Sequence, residues 1–271
     1  MLTLSANAPI GIFDSGIGGL TIAETVVRHL PHERIIYFGD TAHLPYGEKS
    51  EALICHYAEG ITRLLIEKGC KLIIIACNSA SAAAYAHLVN RFGTQVHFIN
   101  VIDPVIQGIS AMRDVAHVGI IGTQRTIRSG IYTRRLRALR SDLRTSALET
   151  PLLAPMIEAG FFNNQISEVV ICTYLADKQL QGIDTLILAC THYPLIRPVI
   201  HRLCGDSIRV FDSTDFIGEE VGTVLAKNGL LSQKKTEKNK FYVSDLTESF
   251  EKTTRFFFRE EIELELYPLW D

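Results

Sequence analysis

Two short stretches of this 271-residue chain carry reactive residue types on one local pattern. Residues 72–81 read LIIIACNSAS and residues 186–195 read LILACTHYPL. In each, an apolar run with the look of a fully buried strand stops at Ala-Cys and turns polar. Asn78 and Ser79 follow Cys77; Thr191 and His192 follow Cys190. A lone free cysteine is usually a small buried hydrophobe. Cys55, Cys70, Cys172 and Cys204, within or beside helical segments, read that way. Two thiols at matching strand ends, each flanked by hydrogen-bond donors, suggest shared chemistry. With a small amino acid between them, one thiolate removes the α-proton from one face while the opposite thiol delivers a proton to the other. The product is the mirror image, and the reverse reaction only exchanges the roles.

Acidity is the obstacle. A free thiol with a pKa near ~8.5 is only a few per cent ionised at neutral pH, and an amino acid α-proton is far less acidic. Asp14 and His192 are the nearest helpers, one for each cysteine, with Asp40 and Glu158 as further candidates. The bland alternatives are an N-cap for Asp14 and a turn or core histidine for His192. Charge building onto the α-carboxylate needs donors around Ser15, Asn78, Ser79, Thr123 and Thr191. Tyr46 and Gly47, in the turn HLPYGEKS, are placed to offer amides to a second carboxylate, or simply to form a Pro-x-Gly turn.

Competing chemistries fit less well. In FDSGIGGLT, Gly16 and Gly18 match a dinucleotide fingerprint but Thr21 occupies its last glycine position, although Asp40 mimics the ribose-binding acid. The turn still suits an anion at a helix N-terminus. No P-loop, pyridoxal-lysine motif or G-x-S-x-G elbow occurs, and Cys190 and His192 lack further close ligands for zinc. No cofactor and no metal are expected. A Cys-His hydrolase is conceivable but has no use for a second thiol.

The elements that must position these residues are legible as runs rich in Ile and Val: PIGIF, RIIYFG, KLIIIAC, QVHFINV, HVGIIG, DTLILAC and IRVFD. Separated by helical segments, they predict an α/β fold of two doubly wound domains with mainly parallel sheets related by pseudo-symmetry. Ligands in such folds bind beyond the carboxyl ends of strands, here the cleft between the domains. The 113-residue offset of the two cysteines places the boundaries at residues 1–99 plus 208–271 for the first domain and 100–207 for the second. In the second helical segment Leu53, Tyr57, Ile61, Leu64 and Leu65 form an apolar stripe. KFYVSDL reads as a strand and residues 246–259 as a helix of a tail that rejoins the first domain. The polar stretch SQKKTEKNK, residues 232–240, reads as a solvated loop.

Seven arginines between Arg125 and Arg144 predict one amphipathic helix, with Ile127, Ile131, Leu136, Leu139 and Leu143 inward and a basic outer side. A formal net charge of -3 gives no general preference for nucleic acid. No Lys or Arg precedes Arg28, and no apolar run approaches a membrane span, so a cytoplasmic protein with reduced thiols and no membrane or nucleic-acid partner is expected.

FDSGIGGL, GDTAHLPYG, ACNSAS and ACTHYPL, in this order and at these separations, resemble the glutamate racemases of the aspartate/glutamate racemase family, over nearly the whole chain. The resemblance implies cofactor-independent interconversion of L- and D-glutamate, supplying D-glutamate for peptidoglycan. Two catalytic cysteines would match Cys77 and Cys190, and substrate contacts would fall at Asp14, Ser15, Tyr46, Gly47, Asn78, Ser79, Thr191 and His192. It also implies a homodimer, and some Gram-negative members need a peptidoglycan precursor as activator, for which the arginine-rich segment is a candidate. Aspartate racemases of the family resemble this chain in having both cysteines but generally carry Glu where His192 stands, while arylmalonate decarboxylases use one cysteine. Ser79 departs mildly from a common Thr. The rivals are an aspartate or other acidic amino-acid racemase and, from another class, a non-catalytic amino-acid-binding protein.

Overall fold

The computed structural model describes residues 4–234 and 237–270; Lys235 and Thr236 of the expected solvated loop lie outside the described residues. The first half alternates β1 (Ile10–Asp14), α1 (Leu20–His29), β2 (Ile35–Gly39), α2 (Glu51–Glu67), β3 (Leu72–Ile75), α3 (Asn78–Phe92) and β4 (His97–Asn100). The second runs α4 (Asp103–Ala111), β5 (His117–Gly122), α5 (Gln124–Ser129), α6 (Ile131–Leu139), β6 (Arg144–Glu149), α7 (Leu153–Glu158), α8 (Gln165–Leu175), β7 (Thr185–Ala189), α9 (Arg197–Cys204) and β8 (Arg209–Asp212). The tail adds α10 (Ile217–Lys227), β9 (Lys240–Val243), α11 (Glu248–Phe257) and β10 (Leu264–Leu266).

All these strands pair in parallel, in two sheets ordered β10-β9-β2-β1-β3-β4 and β6-β5-β7-β8. Without β9 and β10, each sheet places its second strand outside its first, then its third and fourth. Cys77 follows the third strand of one sheet and Cys190 the third of the other, so the two thiols hold equivalent places in the repeat.

Alternation along the strands explains why both sheet faces are covered. Ile10, Ile12, Tyr37, Leu72 and Ile74 join one core cluster, while Phe13, Ile36, Phe38, Ile73 and Ile75 join another under α2 and α3. In the second sheet Ile121, Leu186 and Leu188 face α7 and α8, and Val118, Ile120 and Ile187 face α4 and α6. A strand buried on both sides needs apolar residues at every position. Each fully buried Ile, Leu or Phe contributes roughly 1.5–3 kcal/mol. One charged pair also sits inside: Lys71 Nζ lies 2.5 Å from Glu33 Oε2 and donates to the carbonyls of Ala6 and Leu230.

Three local expectations change. The return to the first domain does not fall at 208, because β8, Arg209–Asp212, pairs with β7; the short turn Ser213–Asp215 and then α10 pack back on α1, with Ile217, Val221 and Leu225 of α10 buried. The arginine-rich segment is not one helix. Gly130 adopts a left-handed conformation, φ 63°, ending α5 and restarting the chain as α6. The break shifts the helical phase, so Tyr132 and Leu136 turn inward and Leu139 is 60% exposed. In α2 the buried stripe is Ile54, Ala58, Ile61, Leu64 and Leu65; Ile61, Leu64 and Leu65 lie as expected, while Leu53 is exposed and Tyr57 half-buried. No helix among the described residues is long and apolar enough to cross a membrane.

Candidate active site

Cys77 and Cys190 line one cavity of about 30 Å³ beyond the carboxyl ends of both sheets. Ser15, Tyr46, Gly47, Asn78, Ser79, Thr123, Thr191, His192 and Glu158 line it too, with Pro45 and Ala154. Larger grooves of about 670 and 480 Å³ run along residues 237–265, but they are lined by glutamates and contain no cysteine. Size does not mark the chemistry here; the convergence of thiols does.

On the first side β3 ends and Cys77 takes the cap position of α3, so its sulfur sits where free backbone amides favour negative charge. The Cys77 thiol donates to Ser15 Oγ at 3.5 Å. Burial, reinforced by the Asp14 carboxylate, pushes the Cys77 thiol up to about 12 against the opposing pull of Ser15 and the Ala80 amide. Asp14 is fully buried and does not line the cavity. Its Oδ2 accepts from the amides of Gly19 at 2.9 Å and Gly16 at 3.2 Å, tying the glycine turn to the start of α1. Its Oδ1 has no partner. Burial raises the Asp14 carboxyl above its ordinary range, with His192 and the turn amides working the other way.

On the second side β7 ends at Ala189 and is followed by Cys190, whose Sγ lies 3.6 Å from His192 Nδ1. The other ring nitrogen, Nε2, is 2.8 Å from Glu158 Oε1, an ion-pair contact without the alignment of a hydrogen bond. Burial alone would lower the His192 imidazole, but Cys190 and Glu158 outweigh it and hold the ring well above its ordinary value. Negative charge on Cys190 favours the protonated His192 ring. Room for the ring exists because residue 18 is glycine; a Cβ there would lie 2.4 Å from His192 Cε1. Phe257 of α11 packs edge-on against the same ring, with centroids 5.5 Å apart.

Cross-domain hydrogen bonds close the cavity. Ser79 Oγ and Thr123 Oγ1 are 2.9 Å apart, Tyr132 donates to Asn78 Oδ1 at 2.7 Å, and Arg125 Nε donates to Lys49 O at 3.1 Å. Thr21, the residue that spoils the dinucleotide fingerprint, donates to Thr191 O at 3.1 Å. A cavity this small holds a water or two.

Tyr46 and Gly47 are held from behind. The Tyr46 hydroxyl donates to Asp40 Oδ2 at 2.6 Å, and burial together with Asp40 pushes that phenol far up, so it stays protonated. Asp40 does not reach the cavity. It also accepts from His43 Nδ1 at 3.0 Å, Ser244 Oγ at 2.8 Å and Trp270 Nε1 at 2.8 Å, and so joins the cavity-lining turn to the tail. Gly47 lets that turn approach the second domain, since a Cβ would come within 2.9 Å of Thr123 Cβ.

Pro45 and Ala154 are lining residues that the sequence reading missed. Pro45 adjoins the flagged Tyr46, but nothing in the local sequence marks Ala154, which α7 brings in together with Glu158. The other four cysteines are free and stand apart from the cavity. Among the described residues no cluster of His, Cys, Asp or Glu is placed to hold a metal ion. The arrangement can bind a small anion-bearing ligand between two thiols, one beside a carboxylate and one beside an imidazole.

A family model described as Asp/Glu/Hydantoin racemase matches residues 20–220. A glutamate racemase of Chlorobaculum tepidum is 40% identical, covering 96% of this chain and 95% of that protein. The crystal structure of a glutamate racemase from Francisella tularensis in complex with D-glutamate superposes with a TM-score of 0.90 at 35% identity, covering 98% of this chain and 99% of that one. A glutamate racemase isoform from Bacillus anthracis gives a TM-score of 0.91 at 30% identity over 97% of this chain and 99% of that one. The chain therefore belongs to the Asp/Glu/Hydantoin racemase family and groups within it with the glutamate racemases.

Proposed function

We propose that the protein is a glutamate racemase that interconverts L- and D-glutamate without a cofactor, with Cys77 and Cys190 as its two acid/base groups. The observation that carries this reading is the convergence of two free thiols, from equivalent strands of two domains, on one closed cavity. The relatives named as glutamate racemases support the substrate.

Burial keeps Cys77 a thiol, and in one direction of turnover Cys190 acts as the base beside the His192 imidazolium. Glutamate enters with the domains parted and is enclosed as they close. The Cys190 thiolate takes the α-proton, forming an S–H bond as the C–H bond breaks. The electron pair left on carbon is drawn toward the α-carboxylate, which accepts hydrogen bonds from Ser79, Thr123, Thr191 and neighbouring amides. The Cys77 thiol delivers its proton to the opposite face. Cys77 is left as thiolate and Cys190 as thiol, and the reverse turnover restores them. The buried Asp14 carboxyl acts on Cys77 through its charge, which raises the thiol and favours its protonated form. Tyr46 and Gly47 offer backbone amides to the side-chain carboxylate.

The same proposal includes a homodimer, a cytoplasmic location and supply of D-glutamate to the cell wall, all on the strength of the resemblance. Response to a peptidoglycan precursor is read by adding one to the assay.

The test offers each glutamate enantiomer in deuterated water to the native enzyme, Cys77→Ala and Cys190→Ala, following optical rotation and α-deuterium together. The native enzyme racemises with exchange. Each alanine variant loses racemisation by a factor on the order of 10³ or more. Full turnover in either variant rejects the two-base account, and aspartate turning over faster than glutamate moves the assignment to the rival racemase.

A further inference from the structure

Asn78 is constrained in a way that the two thiols do not explain. Its side chain is 2% exposed and lines the cavity, and its Nδ2 has no hydrogen-bond partner. Its Oδ1 accepts the 2.7 Å hydrogen bond from the Tyr132 hydroxyl. A buried amide donor without an acceptor costs roughly 1–3 kcal/mol, so the structure keeps this donor for an acceptor that enters the cavity. Tyr132 stands on α6 of the second domain, and Asn78 opens α3 of the first. The bond therefore spans the two domains.

We propose that Tyr132 is a positioning residue for substrate, fixing the Asn78 amide so that Nδ2 rather than Oδ1 faces the substrate carboxylate, and coupling that orientation to domain closure. The inference rests on the reading of the cavity as the binding site of an acidic amino acid. A flipped amide would set an oxygen lone pair against the carboxylate, repelling the ligand that the other orientation attracts. The phenol can do this because it is 3% exposed and burial raises it far above working pH, so its donor proton is always present. Its placement follows from Gly130. The left-handed residue restarts the helix two positions earlier and turns Tyr132 and Leu136, one helical repeat apart, away from the arginine-bearing side.

The experiment is a double-mutant cycle of Tyr132→Phe, Asn78→Ala and the pair, assayed with both glutamate enantiomers beside the native enzyme. Tyr132→Phe keeps the ring and its packing and removes the hydroxyl alone. It is expected to raise KM roughly 3- to 10-fold, the range of one hydrogen bond, with kcat within about 2-fold. On the Asn78→Ala background the same change is expected to alter KM by less than about 2-fold, because its target is gone. Calorimetric binding of D-glutamate reads the same cycle where turnover of Asn78→Ala is too slow to fit. Equal effects on both backgrounds, or an unchanged KM in Tyr132→Phe, overturn the inference and leave the racemase reading standing. A native enzyme inert toward both enantiomers overturns that reading and this inference with it.

Discussion

Cys77 and Cys190 follow the third strands of two sheets with the same strand order, and they are 6% and 7% exposed, so neither place in the fold nor access to solvent distinguishes them. Their neighbours do. Cys77 faces a buried carboxyl, Asp14, held by the amides of its own turn, while Cys190 faces His192, backed by Glu158. A repeated fold supplies two matching positions for a thiol, and the neighbours of each differ in charge. The lesson is that symmetry belongs to the backbone and direction to a few side chains. The outer edges differ as well. The first sheet gains β9 and β10 and receives Trp270 on Asp40, whereas the second sheet ends on the partly exposed strand β6.

The largest effect is expected where the comparison is broken outright. His192→Asn keeps a polar side chain but removes the cation beside Cys190, and kcat should fall roughly 10²- to 10³-fold in both directions while Cys77 is untouched. A loss below about 5-fold would show that the imidazole is a packing residue of the second domain. Next comes Glu158→Gln, which spares the ring but takes away one group that keeps it protonated. The alkaline limb of the kcat profile should move down by about one pH unit, reducing activity roughly 10-fold at pH values above that limb. Stability carries the same sign. A histidine held above its ordinary value stabilises the fold fully below about pH 6.5 and loses that contribution as pH rises through the folded value. The variant's deficit in urea midpoint should therefore be larger at pH 6 than at alkaline pH.

Asp14→Asn sharpens the comparison from the other side. At pH 8, iodoacetamide should label Cys190 before Cys77 in the native protein, read by peptide mass spectrometry. Removing the Asp14 charge should speed Cys77 labelling several-fold, roughly 3 to 10. Equal labelling of both thiols in the native protein would remove the asymmetry. Smallest is Trp270→Phe, which deletes one hydrogen bond to Asp40. It should cost about 1–2 kcal/mol in chemical unfolding, with less than about a 3-fold change in kcat.

Much of this was legible because buried parallel strands need unbroken apolar runs and their ends stand out as the first polar residues. The runs ending at Asp14, Cys77 and Cys190 all became central strands of the two sheets. Strand β6 was missed because it lies on a sheet edge, where half-exposed Thr145, Ser146 and Ala147 break the apolar pattern. The arginine-rich segment was misread because a glycine inside a helical pattern usually passes unnoticed; only its positive φ makes Gly130 a break. The crossing at 208 was set one strand early, since IRVFD looks the same whichever sheet it joins. At the site, residues beside the cysteines were readable because they share a strand end with them. Asp40 was harder: its partners Tyr46 and Trp270 are 6 and 230 residues away, and such contacts leave no local pattern. Glu158 drew notice as an acid without a place, and α7 puts it against His192.

Whether two sulfurs stand on opposite faces of one substrate carbon is measured directly by a crystal structure of the closed enzyme with D-glutamate. Cys77 Sγ and Cys190 Sγ should each approach Cα to about 3.5 Å, one from either side, with the α-carboxylate between Ser79 and Thr191. Both sulfurs on one face, or either farther than about 6 Å from Cα, would contradict the two-base account.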